Sequence, residues 1–336
     1  MKKIHIFIFT AISIILILLY TAAGTADIAF LDTFKILAGK LNSSLSGFSN
    51  SKEIIILNIR LPRVLLSYIS GACLALCGCG YQSVFKNPLS DPFILGVSSG
   101  AALGATLSIV LSMPNTFLGL NITALMAFFG AVITVFVVFA IYENSQRNST
   151  SSLLLIGIAI GQFITAVISV LMLLNQDNIK DIYFWTLGSF AAKSWPHLAV
   201  VSVYFVIGFC FMMHNSKNLD IMLLGSQEAQ YLGQDIYKVR RHILVITSLL
   251  AAGVVSVTGI IGFIGLITPH VVRIFTGPMH KKLMVYSVFI GGIFLMTADT
   301  IARSALKFEL PVGIVTAIFG APFFIYLIYS SKREVL

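Results

Sequence analysis

Runs of about 20 mostly apolar residues recur along this chain, the length a helix needs to cross a hydrocarbon core roughly 30 Å thick. In the 336-residue sequence they fall near 4–24, 64–85, 93–113, 117–142, 153–174, 197–213, 283–302 and 311–329. They are apolar on every face, whereas the strands of a membrane barrel alternate in polarity over about 10 residues. An all-α, polytopic bundle of membrane helices follows, with residues 1–336 forming a single transmembrane domain. With 57% of its residues hydrophobic and 10% charged, the chain is not an ordinary water-soluble globule.

One run needs a further step. Residues 243–275 stay largely apolar, too long for one untilted crossing, and Gly259, Gly262 and Gly265 mark a break within the run. Cytoplasmic loops carry an excess of Lys and Arg, so charge decides between one crossing and two. Two crossings put 13 of the 22 basic residues inside and 9 outside, whereas one crossing puts 10 inside and 12 outside. Two crossings give about ten transmembrane helices with both termini cytoplasmic. The net charge of +9 is scattered over short loops, which points away from nucleic acid. Lys2 and Lys3 precede an apolar stretch to Ala23. It reads as an uncleaved first span rather than a signal peptide, whose apolar core is usually about 7 to 15 residues.

Polar stretches separate the spans. In the outer segment 25–59, residues 31–39 suit a short helix lying on the membrane. Residues 175–196 carry Trp185 and Trp195, which suit interfacial anchors. The longest cytoplasmic segment, about 214–242, has two readings. In one, its leucines and Met222 face a partner while Gln227, Glu228 and Gln230 meet water; in the other it is a plain connection.

The sequence has no GxxxxGK[ST] phosphate cradle and no HExxH, GxSxG or paired-carboxylate constellation. Catalytic residues, a cofactor and ATP hydrolysis by this chain are therefore not expected. Cys73, Cys77, Cys79 and Cys210 lie in apolar runs without CxxC spacing or companion histidines, so no metal site is expected. Asp299, an acid within a span, suits an ion pair with Arg303 one turn away better than a proton relay. Arg60, Arg63 and Arg303 sit at outer helix ends against the charge bias. They either seek an anionic partner, for which the planar guanidinium fork is suited, or snorkel to lipid headgroups. Gly96, Gly100 and Gly104, with Gly157 and Gly161, recur at helical spacing and predict close helix packing.

The order of these motifs resembles that of the FecCD-type permease family of ABC importers. The resemblance rests on Arg60-Leu-Pro-Arg63, Phe85-Lys-Asn-Pro-Leu-Ser-Asp-Pro92, Leu95-Gly-Val-Ser-Ser-Gly-Ala101, Trp185-Thr-Leu-Gly-Ser189, Leu224-Gly225, Leu232-Gly233, Gly262-Phe-Ile-Gly-Leu266, Pro269-His270, Ala298-Asp299, Ala302-Arg303, Glu309-Leu-Pro-Val-Gly313 and Gly320-Ala-Pro-Phe323. It implies a permease in the bacterial cytoplasmic membrane that pairs with a second permease chain, identical or related. Two separate ATP-binding cassette ATPase subunits and an extracytoplasmic substrate-binding protein complete the assembly it implies.

By the same resemblance Arg60, Arg63 and Arg303 dock the binding protein. Leu223, Leu224, Gly225, Glu228, Ala229, Leu232 and Gly233 contact the ATPase, and Asn87, Leu89, Thr150 and Ser151 form a cytoplasmic gate. The implied cargo is an iron chelate, foremost a ferric siderophore, with haem and cobalamin carried by other members. An ion-coupled secondary transporter is the rival reading. The polar 43–51 segment and Lys193 depart from the family pattern.

Overall fold

The computed structural model describes residues 3–24, 28–39, 50–114, 116–117, 120–145, 150–306 and 308–331, so most of the polar 43–51 segment lies outside it. Apart from two paired two-residue strands, Thr116–Phe117 and Leu120–Asn121, these residues build helices and their connections.

Seven stretches are long and apolar enough to cross a membrane. They are α1 (Lys3–Ala22), the 35-residue run Ser51–Phe85, α6 (Ile122–Asn144), α7 (Thr150–Leu174), α9 (Trp195–His214), α12 (Ile236–Thr258) and α14 (His280–Ser304). The long run joins α3 (Asn50–Ile54), a π-helical stretch Ile55–Arg60 and α4 (Leu61–Phe85). Three shorter apolar helices, α5 (Val97–Val110), α13 (Ile264–Thr276) and α15 (Val312–Ser331), overlap the other apolar runs of the sequence. The surface helix expected near 31–39 is α2 (Phe30–Gly39). Short helices α8 (Ile179–Thr186), α10 (Ser216–Leu224) and α11 (Ser226–Tyr231) lie in the two long connections.

Polar caps set several helix ends. The Asn121 side chain accepts from the amide of Ala124 at the start of α6, and Asp235 accepts from Lys238 at the start of α12. α4 ends at Lys86 in the left-handed conformation, with φ 49°.

α4 is the axis of the bundle, and every residue from Ser70 to Phe85 is buried. A helix apolar on all faces belongs at such a centre. It packs on α14, α12, α9 and α13. Small residues make the approach close. A Cβ on Gly71 would lie 2.2 Å from the carbonyl of Gly291 on α14, and one on Gly78 would lie 1.7 Å from that of Gly265 on α13. Gly100 and Gly104 serve α5 against α6 in the same way, and Gly157 receives the carbonyl of Ile94, whereas Gly161 meets only Ser99 Oγ at 3.4 Å. The close backbone packing expected of the glycine repeats thus holds at Gly100, Gly104 and Gly157 and lapses at Gly161. On the outside, α7 exposes Leu155, Phe163, Leu173 and Leu174, which suits hydrocarbon.

The break expected within 243–275 is present. α12 stops at Thr258, Gly259 and Phe263 take φ 73° and 72°, and α13 begins at Ile264. Non-helical backbone at membrane depth is tolerated only where protein satisfies it. Here the amide of Ser189 donates to the Thr258 carbonyl at 2.7 Å, and that of Gly313 donates to the Leu187 carbonyl at 3.1 Å. Three connections, before α9, between α12 and α13, and before α15, therefore close on one another.

Candidate functional site: two polar clamps at opposite ends of one helix pair

The antiparallel helices α4 and α14 carry the polar groups that matter. At one end stand Arg63 and Asp299; at the other, Ser83 and His280.

At the first end, Arg63 donates Nη2 to Asp299 Oδ1 at 3.0 Å and Nε to Oδ2 at 3.1 Å, while Nη1 donates to Glu309 at 2.8 Å. The Asp299 side chain is 1% exposed and that of Glu309 is 44% exposed, so the cluster reaches solvent through Glu309. Arg60 Nη1 donates to the Ala22 carbonyl at 2.8 Å, and Arg303 donates Nη1 to the Ala23 carbonyl at 2.7 Å and Nη2 to that of Tyr20. The last carbonyls of a helix lack partners within it and carry partial negative charge, so the end of α1 attracts cations.

The three arginines stand close to one another, but they do not face outward. They are 5%, 7% and 4% exposed, for Arg60, Arg63 and Arg303 respectively. Their partners come from within the chain, which sequence position alone concealed. Asp299 also differs from expectation: its hydrogen-bonded partner is Arg63 of α4, not Arg303 one turn along its own helix.

At the second end, α10 and α11 leave the bundle between α9 and α12. Leu223, Leu224, Tyr231 and Leu232 expose between 44% and 87% of their surface. Glu228 and Gly233 are also exposed, and Gly225, with φ 138°, makes the turn between the two helices. Ala229 is buried, and so are Leu219 and Met222, which the sequence reading had turned toward a partner. The apolar face of α10 divides, with Leu219 and Met222 packing inward and Leu223 and Leu224 projecting away.

Asn87 and Leu89 are exposed just past the end of α4, where Asn87 Oδ1 accepts from the amide of Leu89 at 2.9 Å. Thr150 and Ser151 open α7, which packs on the short 3₁₀ turn Pro92–Leu95 following those residues. Asp91 starts that turn by accepting from the Phe93 amide at 2.9 Å. Burial pushes its carboxyl up to about 6, and this hydrogen bond pulls the other way.

One constellation here escaped the sequence reading. Asp220 of α10 accepts from both the backbone amide and Nδ1 of His280, at 2.8 and 2.7 Å, and His280 Nε2 meets Ser83 Oγ of α4. A signal was available: α14 starts after Pro278-Met279, where no side chain can cap, so its first amide needs an acceptor from elsewhere. Among the described residues no group of three or more His, Cys, Asp or Glu side chains is arranged to hold a metal ion.

Comparison with known proteins accords with this architecture. The chain is 39% identical to the cobalamin import system permease protein BtuC of Halobacterium salinarum, over 86% of this chain and 77% of that one. It is 36% identical to the hemin transport system permease protein HmuU of Yersinia pestis, over 83% and 84%. A solved structure described as an inward-facing metal-chelate-type ABC transporter superposes with a TM-score of 0.83 at 29% identity, covering 98% of this chain and all of that one. The profile of the FecCD transport family matches residues 12–330. This chain therefore belongs to the FecCD transport family, as a membrane-embedded permease rather than an enzyme.

Proposed function

We propose that the chain is the permease of an ATP-driven importer that carries a ferric siderophore across the cytoplasmic membrane. Two permease chains enclose the pathway. ATPase subunits act at the Asp220–His280 end, and a substrate-binding protein delivers cargo at the Arg63–Asp299 end. The observation that carries this reading is the projecting α10–α11 segment. Its exposed Leu223, Leu224, Tyr231 and Leu232 form an apolar face outside the bundle, suited to a groove on a soluble partner. The sequence offers no phosphate cradle of its own, so in this reading ATP hydrolysis belongs to that partner.

Docking at the opposite end is supported by the convergence of Arg60, Arg63 and Arg303 beside half-exposed Glu309. An acidic side chain on the binding protein would compete with Glu309 for Arg63 Nη1. The exposed Asn87 and Leu89 and the start of α7 at Thr150 and Ser151 act as the gate, opening as the helices re-pack between two arrangements.

The test is uptake by proteoliposomes holding this chain with its ATPase and binding protein, offered labelled ferric siderophore, hemin and cobalamin in parallel. ATP-dependent siderophore uptake is expected. ATP-dependent uptake of hemin or cobalamin alone would replace the cargo, and uptake without ATP would replace the mechanism with an ion-coupled one.

A further inference from the structure

The clamp at the second end joins three elements that sequence places far apart. Asp220 sits on α10, His280 opens α14, and Ser83 lies near the end of α4. Asp220 performs two tasks at once. Its carboxylate caps the first amide of α14, where the helix dipole favours negative charge, and it fixes the imidazole through Nδ1–H. The imidazole's other nitrogen accepts from Ser83 Oγ, a hydroxyl that also lies 2.6 Å from the Cys79 carbonyl. His280 is fully buried and Ser83 nearly so, so the bond between them is shielded from water, where hydrogen bonds are strong and costly to leave unmade, while the Asp220 side chain stays 26% exposed. Next to Ser83, Gln82 Nε2 donates to the Leu266 carbonyl of α13 at 2.9 Å. The apolar contacts of α10 with the bundle, through Leu219 and Met222, are slippery by comparison.

We infer that Asp220 is the positioning residue through which a displacement of α10–α11 is delivered to the α4–α14 pair. This deepens the reading of α10–α11 as the ATPase contact and rests on it. Pulling α10 moves the capped end of α14 and, through His280, the end of α4 that borders Asn87 and Leu89. Without the clamp, α10 shifts and the helix pair stays behind.

The experiment compares wild type with Asp220→Ala, Asp220→Asn and Ser83→Ala in the reconstituted complex with ATPase and binding protein, reading cargo moved per ATP hydrolysed. Loss of a charge-assisted hydrogen bond corresponds to about a tenfold loss, so Asp220→Ala should lower that ratio about tenfold while ATPase association and basal hydrolysis persist. Asp220→Asn keeps an oxygen to accept from the His280 amide and should stay within about threefold of wild type. Ser83→Ala, which keeps Asp220 on α14 but frees α4, should fall about threefold and carries the test if Asp220→Ala does not assemble. A second reading needs no cargo. With Cys210 replaced by Ser, spin labels at exposed Lys217 and Lys281 should report one narrow distance in the isolated permease and a broadened one in Asp220→Ala. Unchanged transport per ATP and an unchanged distance distribution in the variants would overturn the inference. A wild-type permease that binds no ATPase but keeps the narrow distance would instead overturn the proposed function.

Discussion

Arg63 on α4 holds the carboxylate of Asp299 on α14 through two nitrogens, 236 residues apart in sequence, and its third contact is Glu309. The roles are unequal. Asp299 is buried and has one cationic partner in direct contact, whereas Arg63 has two anionic ones.

That inequality predicts an order of damage. Removing one member of a buried pair costs about 3–5 kcal/mol because a charge is left without compensation. Arg63→Ala should be the most destabilising, since it strands Asp299. Asp299→Ala should cost less because Glu309 remains, and Glu309→Ala should cost least. Thermal unfolding in detergent micelles checks this, and equal losses for the first two would contradict the asymmetry.

Close backbone contacts predict which glycines are replaceable. Gly78→Ala puts a methyl group against the Gly265 carbonyl and should push α13 from α4, at about 1–3 kcal/mol for overpacking. Gly161→Ala meets only a serine hydroxyl at ordinary distance and should be tolerated. Melting temperatures of the two variants side by side decide it.

The exposed leucines predict where the ATPase binds. Burying one leucine side chain contributes about 1.5–3 kcal/mol, so Leu224→Asp or Leu232→Asp should weaken ATPase association by more than about tenfold. Leu219→Asp should instead damage folding, because that side chain is fully buried. Pull-down titration combined with gel filtration separates the two failures.

Asp91 predicts a pH dependence. Its carboxyl is raised by burial to about 6, so the folded state takes up a proton more readily than the unfolded state does. Its stabilising contribution is present when the group is protonated and is lost as pH rises from about 4 through about 6. Asp91→Asn keeps the cap acceptor without the charge. It should be more stable than wild type at pH 7.5, with the advantage shrinking toward pH 4.5. A melting-temperature difference independent of pH would refute this.

The spans and the break after Thr258 were legible because both depend on local quantities, apolar length against bilayer thickness and the distribution of basic residues. The placement of Arg60, Arg63 and Arg303 near helix ends was likewise legible from topology. Their inward orientation was not, since Glu309 and the carbonyls of α1 become neighbours only when α1, α4 and α14 pack. Asp299 was assigned to Arg303 because helical spacing favours the near partner, yet packing supplied a better fork from α4. Periodicity also shows that α10 has an apolar face without showing which part of it meets the bundle, hence the misplacement of Met222.

The three connections that close on one another around Leu187, Thr258 and Gly313 set a constraint on biosynthesis. Ribosomes deliver α8 and α12 long before α15, so until residues 311–313 emerge the Leu187 carbonyl waits for an amide that has not yet been made. The nascent bundle stays unfinished at these connections until α15 arrives, and a chain ending before Pro311 would present the insertion machinery with a permanently open seam.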